Sequence, residues 1–223
     1  MQRIKSLSEF GFKPRYIIDV GANVGGWTDQ VAHFFPDSHF LMVEANAKHD
    51  SILKSICEKH GNVDYSINLL SNREEELPFY MIKDADPLDT ESGNSLLREK
   101  THHYASERNE VKIIKSKTLD SLISEKGISH VDFIKLDVQG SEVMVLEGAS
   151  KTLQDVSFCL LEVQFQQWND KAPLCSEVIS FMSSKGFEPY DIIDQNRASN
   201  YTISVDFLFK KINNKYLCPN IIR

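Results

Sequence analysis

The chain has no CxxC pair: its four cysteines, Cys57, Cys159, Cys175 and Cys218, are scattered along the sequence. That scatter disfavours a zinc site and leaves reduced, mostly buried thiols, which suit a reducing cytoplasm. No run of about 18 apolar residues is present to span a bilayer, and Met1 to Phe12 contains no apolar core of signal length. The chain is therefore expected to be soluble and cytoplasmic, without membrane insertion. Positive charge is also short, with 25 Lys and Arg against 32 Asp and Glu and a net charge of −7. Such a balance argues against broad affinity for nucleic acid or an anionic membrane surface and favours a small-molecule partner. What is present, 223 residues with 41% hydrophobic content, suffices for one well-buried core, so a single domain over residues 1–223 is expected.

Tyr16 to Trp27, reading YIIDVGANVGGW, carries the most information. An apolar run that ends in an acid and a glycine-rich turn reads as a strand delivering a nucleotide-type ligand to a helix start, here Trp27 to Phe35. Glycines at 21, 25 and 26 allow backbone angles that a Cβ would forbid. A dinucleotide fingerprint has glycine at its first, third and sixth places; these are Gly21, Asn23 and Gly26, so the middle glycine that meets a pyrophosphate is missing. No glycine-rich loop closes on a Lys and a Ser or Thr either. A ligand without phosphate, S-adenosyl-L-methionine, meets that description. A second strand, Phe40 to Val43, ends at Glu44, at the distance downstream where an acid takes ribose hydroxyls; an ordinary solvated strand-end acid is the plainer reading of Glu44 alone.

Further along, Lys48 to His60 has helical spacing, and Val63 to Leu69 starts a third strand. Leu77 to Ile82 and Val111 to Ile114 read as strands, the first at a sheet edge because of Pro78. Between them, residues 83–110 lose all periodicity, as a polar insert or lid does. Thr118 begins a helix, Val131 to Leu136 is a strand, Ser141 to Leu153 a helix, and Val156 to Val163 a buried strand. A helix from Leu174 to Ser184 precedes two strands, Phe187 to Ile193 and Tyr201 to Lys210, expected to be antiparallel. This alternation gives an α/β fold with a doubly wound, mostly parallel Rossmann-like sheet, whose ligand lies at the carboxyl ends of the strands where the winding reverses.

Phe133 to Glu142, reading FIKLDVQGSE, places a second acid at a strand end, then a turn glycine and a serine suited to cap a helix. Asp19 and Asp137 would face one cleft, with Glu162 ending the next strand. At these residues the chain resembles the FkbM family of S-adenosylmethionine-dependent methyltransferases, which pairs a DVGAN-x-G opening with KxDV-x-G-x-E and a later LE strand end. Here those are Asp19 to Gly25, Lys135 to Glu142, and Leu161-Glu162, within a likeness running from about Tyr16 to Lys210 that takes in Ser95-Leu96-Leu97 and Thr118-Leu119-Asp120. The resemblance implies a class I methyltransferase sheet and O-methylation of a sugar, glycan or related hydroxylated acceptor. It implies that Asp19, Gly21, Ala22, Asn23 and Gly25 bind the methionine end, Glu44 and Ala45 the ribose, and Asn68 with Leu69 the adenine neighbourhood. Asp137 would border the methyl group, and Gln139 is counted with the cofactor-binding residues. Ile67-Asn68-Leu69 reads equally as a plain strand exit. The family commonly has Glu where this chain has Gln139, so any charge needed there must come from Asp137 or Glu142.

An alcohol becomes a nucleophile when its proton leaves, which calls for a carboxylate or imidazole base. The candidates are Asp137, Glu142 and Glu162, together with His102 and His103 from the insert. A loop histidine without a role, Glu142 as complement to a helix dipole, and Trp27 as a packing residue are the plainer readings. Clustered acids could also hold a divalent ion, though no spacing requires one. Two rivals remain: an NAD- or nucleotide-sugar-linked oxidoreductase, disfavoured by Asn23 and by the lack of a Tyr-x-x-x-Lys pair, and a non-catalytic adenosine-binding module.

Overall fold

In the computed structural model, residues 1–82, 93–100 and 109–214 are described. The apolar run Tyr16–Val20 forms strand β1, and its nearly continuous burial marks it as central, because a parallel strand is covered on both faces. Helix α2 (Gly26–Val31) leads to β2 (His39–Glu44), and α3 (Asp50–Lys59) leads to β3 (Val63–Ile67). The chain then crosses back to β7 (Phe133–Leu136), α5 (Glu142–Glu147) and β8 (Phe158–Gln164), and closes with α6 (Cys175–Ser184), β9 (Phe187–Ala198) and β10 (Tyr201–Lys211). Among the described residues the large sheet has the order β3-β2-β1-β7-β8-β10-β9. Neighbours from β3 through β8 run parallel, and β10 runs antiparallel to both β8 and β9, as the closing pair is expected to do. Winding reverses between β1 and β7, so the carboxyl ends of these strands open the crevice.

Several boundaries differ from expectation; β9, for one, runs on to Ala198, past the expected end at Ile193. The strand expected over Val63 to Leu69 breaks at Asn68, whose N–H donates to the Glu44 carbonyl at 2.9 Å. Leu69–Leu70, as β4, then joins a smaller sheet of order β4-β6-β5, built with β5 (Glu76–Ile82) and β6 (Asn109–Lys117). There β5 is an edge strand, as Pro78 requires. The helix expected over Ser141 to Leu153 ends at Glu147, and its C-cap Gly148 lies so close to the chain just after β4 that an added Cβ would sit 2.3 Å from the Ser71 carbonyl oxygen. Helix α2 stops at Val31, short of Phe35.

Sequence reading also missed α1 (Gln2–Glu9), which buries Ile4 and Leu7 on one face. It packs with Phe12 against Phe133 and Phe158; the Phe12 and Phe158 rings meet edge-on at 5.0 Å. Trp27 stacks on Phe133 at 6.0 Å, a packing role. α4 (Leu119–Glu125) starts at Thr118, whose side chain accepts from the Ser121 N–H. Cys57, Cys159 and Cys175 are free thiols, and no helix among the described residues is long and apolar enough to cross a membrane.

Candidate functional site

A cleft with about 670 Å³ of empty space, part of it open solvent, lies at the carboxyl ends of β1, β2 and β7. Its first wall is the turn after β1. Gly21, Asn23 and Gly25 all take positive φ, whereas Gly26 opens α2 in an ordinary conformation. The Gly21 and Ala22 N–H groups donate to the Val43 carbonyl at 2.9 and 3.1 Å, which seats the turn on β2. Glu44 then cross-links the two turns: Oε2 accepts from the Asn23 N–H at 2.8 Å and Oε1 from the Asn46 N–H at 2.7 Å. The Asn23 Oδ1 atom is buried and has no partner among the described residues.

The opposite wall is the turn after β7. Glu142 holds it, its Oε1 accepting from the Val138 N–H at 3.0 Å and the Gly140 N–H at 3.1 Å. Ser141, expected to cap α5 with its hydroxyl, instead donates backward to the Val138 carbonyl at 2.9 Å, so the carboxylate shapes the turn. Gln139, at φ +55, uses Nε2 to bridge Asp137 Oδ1 at 3.0 Å and Glu162 Oε2 at 2.9 Å. Beneath lies Lys135, its Nζ 3.1 Å from Asp19 Oδ1, 3.5 Å from Asp137 Oδ2 and 3.3 Å from the Gly21 carbonyl oxygen. Burial pulls the Lys135 pKa down, but Asp19 and Asp137 outweigh it and hold the ammonium above its ordinary range.

Gly21, Asn23, Glu44, Ala45, Asn68, Leu69, Asp137 and Gln139 line the cleft. Five other candidates sit behind its walls. Asp19 is fully buried and is held by Thr28 Oγ1 at 2.8 Å and by Lys135. Ala22 belongs to the core, Gly25 starts α2 against Met42, Leu53 and Ile56, and Glu142 and Glu162 are buried supports. His102 and His103 lie outside the described residues. Sequence reading missed His49, Leu70, Phe79 and Asn94 on the cleft wall. Period-2 alternation in β5 could have found Phe79; His49 arrives through a short 3₁₀ turn, Ala47–His49, capped by Asn46, and has no comparable signal. Ser95, at the described end of the insert, donates to the Gln139 carbonyl at 2.9 Å and fixes that segment over the β7 turn. Among the described residues no three His, Cys, Asp or Glu side chains are grouped to hold a metal.

Burial pushes the Glu142 pKa from 4.5 to about 7 against the pull of its backbone hydrogen bonds. The unfolded chain therefore loses this proton before the native one, and stability falls as pH rises from about 4.5 to about 7, by about 3 kcal/mol for this group alone. Glu162 and Asp206 are raised too, chiefly by burial, and act with the same sign. Urea unfolding midpoints at pH 5 and pH 8 should accordingly diverge less in Glu142→Gln than in the wild type; equal divergence would show that Glu142 does not titrate in this window.

The family model described as the methyltransferase FkbM domain matches residues 19–189. No curated protein sequence gives a significant match. Among solved structures, TrmK of M. capricolum in complex with S-adenosyl-homocysteine (SAH) superposes at TM-score 0.52 and 11% identity, over 97% of this chain and 70% of that one. The N-terminal domain of EvdMO1, in the presence of SAH and D-fucose, gives 0.51 at 10% identity, over 94% and 82%. Magnesium protoporphyrin IX methyltransferase of Synechocystis PCC 6803, with bound SAM, gives 0.50 at 9% identity, over 94% and 78%. At such identities the likeness is one of fold, that of class I methyltransferases.

Proposed function

Because the chain belongs to the FkbM methyltransferase family, we propose that it transfers the methyl group of S-adenosyl-L-methionine to a hydroxyl oxygen of a sugar, glycan or related hydroxylated metabolite. The observation that carries the cofactor half is the Glu44 carboxylate, fixed by the Asn23 and Asn46 amides on the wall of a cleft where two left-handed turns meet. The residues present fit that cofactor. Asn23 Oδ1, a buried acceptor without a partner among the described residues, suits an ammonium group; Glu44 keeps lone pairs for ribose hydroxyls; Leu69, Leu70 and Phe79 offer an apolar face to a purine.

When bound, S-adenosyl-L-methionine supplies a methyl group on a positively charged sulfur. The protein's part is to hold an acceptor hydroxyl in line, which can remove roughly 7–11 kcal/mol of barrier, and to take its proton. Asp137 is the carboxylate placed for this: its side chain is 43% exposed, whereas Lys135 beneath it is 9% exposed. Gln139 fixes Oδ1, and Oδ2, which among the described residues is engaged only by the longer 3.5 Å ion pair with Lys135, would receive the proton.

Calorimetric titration with S-adenosyl-L-methionine, SAH and NAD tests the cofactor. Micromolar binding of the first two and none of NAD is the expected result; preference for NAD, or no binding, would sink the reading. Glu44→Gln should weaken SAH binding by roughly 10–100-fold, the cost of one hydrogen bond to a charged group. Transfer of a labelled methyl group to hydroxylated acceptors then tests the reaction.

A further inference from the structure

Beyond the cleft, one face of the sheet carries a row of acids. Register places Asp206 of β10 opposite Glu162 of β8 and also opposite Asp194 of β9, and directly paired residues share a face. Asp137, at the end of the adjoining strand, is joined to Glu162 through Gln139. The row therefore runs from the cleft, lined by Asp137 and Gln139, to Asp194, which lines a second groove of about 980 Å³ along the edge strand β9. Next along the same face come Gln164, Ser204 and Asn196, with Ser204 paired to both of the others. Ser204 Oγ donates to Glu162 Oε1 at 3.0 Å, and Asn196 Nδ2 donates to Ser204 Oγ at 3.0 Å. Gln164 is 2% exposed, and among the described residues its buried Oε1 has no hydrogen-bond partner although its Nε2 is bound to Asn169.

This strip is short of positive charge. Among the described residues no hydrogen bond or ion pair engages the Asp206 carboxylate. Burial pushes the Asp206 pKa up to about 6, and Asp137 and Asp194 add to the rise, while Lys135 and the Met1 amino group pull the other way without cancelling it. Lys135 is already paired with Asp19. Neighbouring strands are about 4.8 Å apart, so carboxylates on β8, β10 and β9 form a line roughly 10 Å long, and no three are grouped around a point where a metal could sit. A line of acceptors interleaved with amides and a hydroxyl suits an extended ligand that brings both donors and a positive charge.

We propose that this row is the acceptor subsite, and that the acceptor carries a protonated amino group beside the hydroxyl to be methylated, as an amino sugar does. Asp206, with Asp194 opposite it in register, receives the ammonium, and Gln164 Oε1 and Asn196 receive flanking hydroxyls. The inference rests on the methyl-transfer reading of the cleft, so its test must fail separately from that reading.

The test is a ligand-observed NMR titration of the whole chain with D-glucosamine and with N-acetyl-D-glucosamine at pH 7, with and without SAH. Glucosamine should bind about tenfold more tightly than its uncharged N-acetyl form, and Asp206→Asn and Asp194→Asn should each reduce that preference toward unity. A parallel SAH titration reports whether each variant is folded. Equal binding of the two sugars, no binding of the amine at millimolar concentration, or a preference undiminished in both variants would overturn the proposal. Failure of SAH to bind would sink the cofactor reading instead, and the amine comparison without SAH would still decide the row.

Discussion

Replacing Asp137 by Asn should lower kcat by about 10²–10⁴-fold while SAH still binds within a few-fold of the wild type, because the substitution keeps the shape of the side chain and removes only its ability to take a proton. The Asn carbonyl oxygen can still accept from Gln139 Nε2, which now donates to Asp137 Oδ1 at 3.0 Å, so the turn after β7 keeps its form. Lys135 loses one of its two anionic partners but retains Asp19 at 3.1 Å and the Gly21 carbonyl, so its buried ammonium stays compensated. Glu162→Gln is the paired control. Burial first, and then the charges of Asp137 and Glu142, raise the Glu162 pKa well above the usual carboxylate range, which makes it a poor proton acceptor near neutrality. Its replacement should cost less than tenfold in kcat and act mainly on KM for the acceptor. Single-turnover methyl transfer with SAH affinity measured alongside separates the two. A large loss in Glu162→Gln with none in Asp137→Asn would reverse the roles.

The strands and the two turns were legible because each follows from a short local pattern. Ile17, Ile18 and Val20 form an unbroken apolar run, as a strand buried on both faces must, and the acid-glycine turns after β1 and β7 sit where the winding reverses. The division of labour among the acids was not legible. Asp19 and Asp137 occupy equivalent strand-end positions in sequence, yet register pairs Asp19 with Lys135 itself and leaves Asp137 beyond the last paired residue of β7. One is sealed in the sheet and the other opens to the cleft. Glu142 follows a capping-type serine and reads as a dipole complement, but its side chain turns back to take two N–H groups of the preceding turn. The acid row across β8, β10 and β9 was hidden for a different reason: Glu162, Asp206 and Asp194 are far apart in the chain, and only antiparallel register brings them together. Gln139 shows the same limit. The family resemblance presents it as a lost charge, whereas the structure makes its amide the donor that joins two carboxyl groups side by side.

The close approach of the two turns yields the largest expected effect on stability. A Cβ added at Gly21 would lie 2.0 Å from the Asp137 carbonyl oxygen and 2.8 Å from its carbonyl carbon, and these are backbone atoms that cannot rotate away. Nor can the strands separate, since β1 and β7 are paired from Ile17 with Phe133 through Val20 with Leu136. Gly21 also sits at φ +72, where a side chain adds roughly 1–2 kcal/mol of its own. With the overpacking cost included, Gly21→Ala should destabilise the fold by about 3–5 kcal/mol, a large part of the roughly 5–15 kcal/mol that holds a native domain together. At about 2–4 °C per kcal/mol, the thermal midpoint should drop by on the order of 10 °C. If the variant still folds, relief has to come from displacing one turn, which moves Asp137 relative to Glu44 and should weaken SAH binding on the order of 100-fold. Gly26→Ala is the internal comparison: its Cβ meets nothing within 4 Å and its φ is not left-handed, so it should be neutral or stabilise by a few tenths of a kcal/mol. Equal melting curves and equal SAH affinities for the two variants would mean that the turns after β1 and β7 are not in contact, and the cleft as described would not exist.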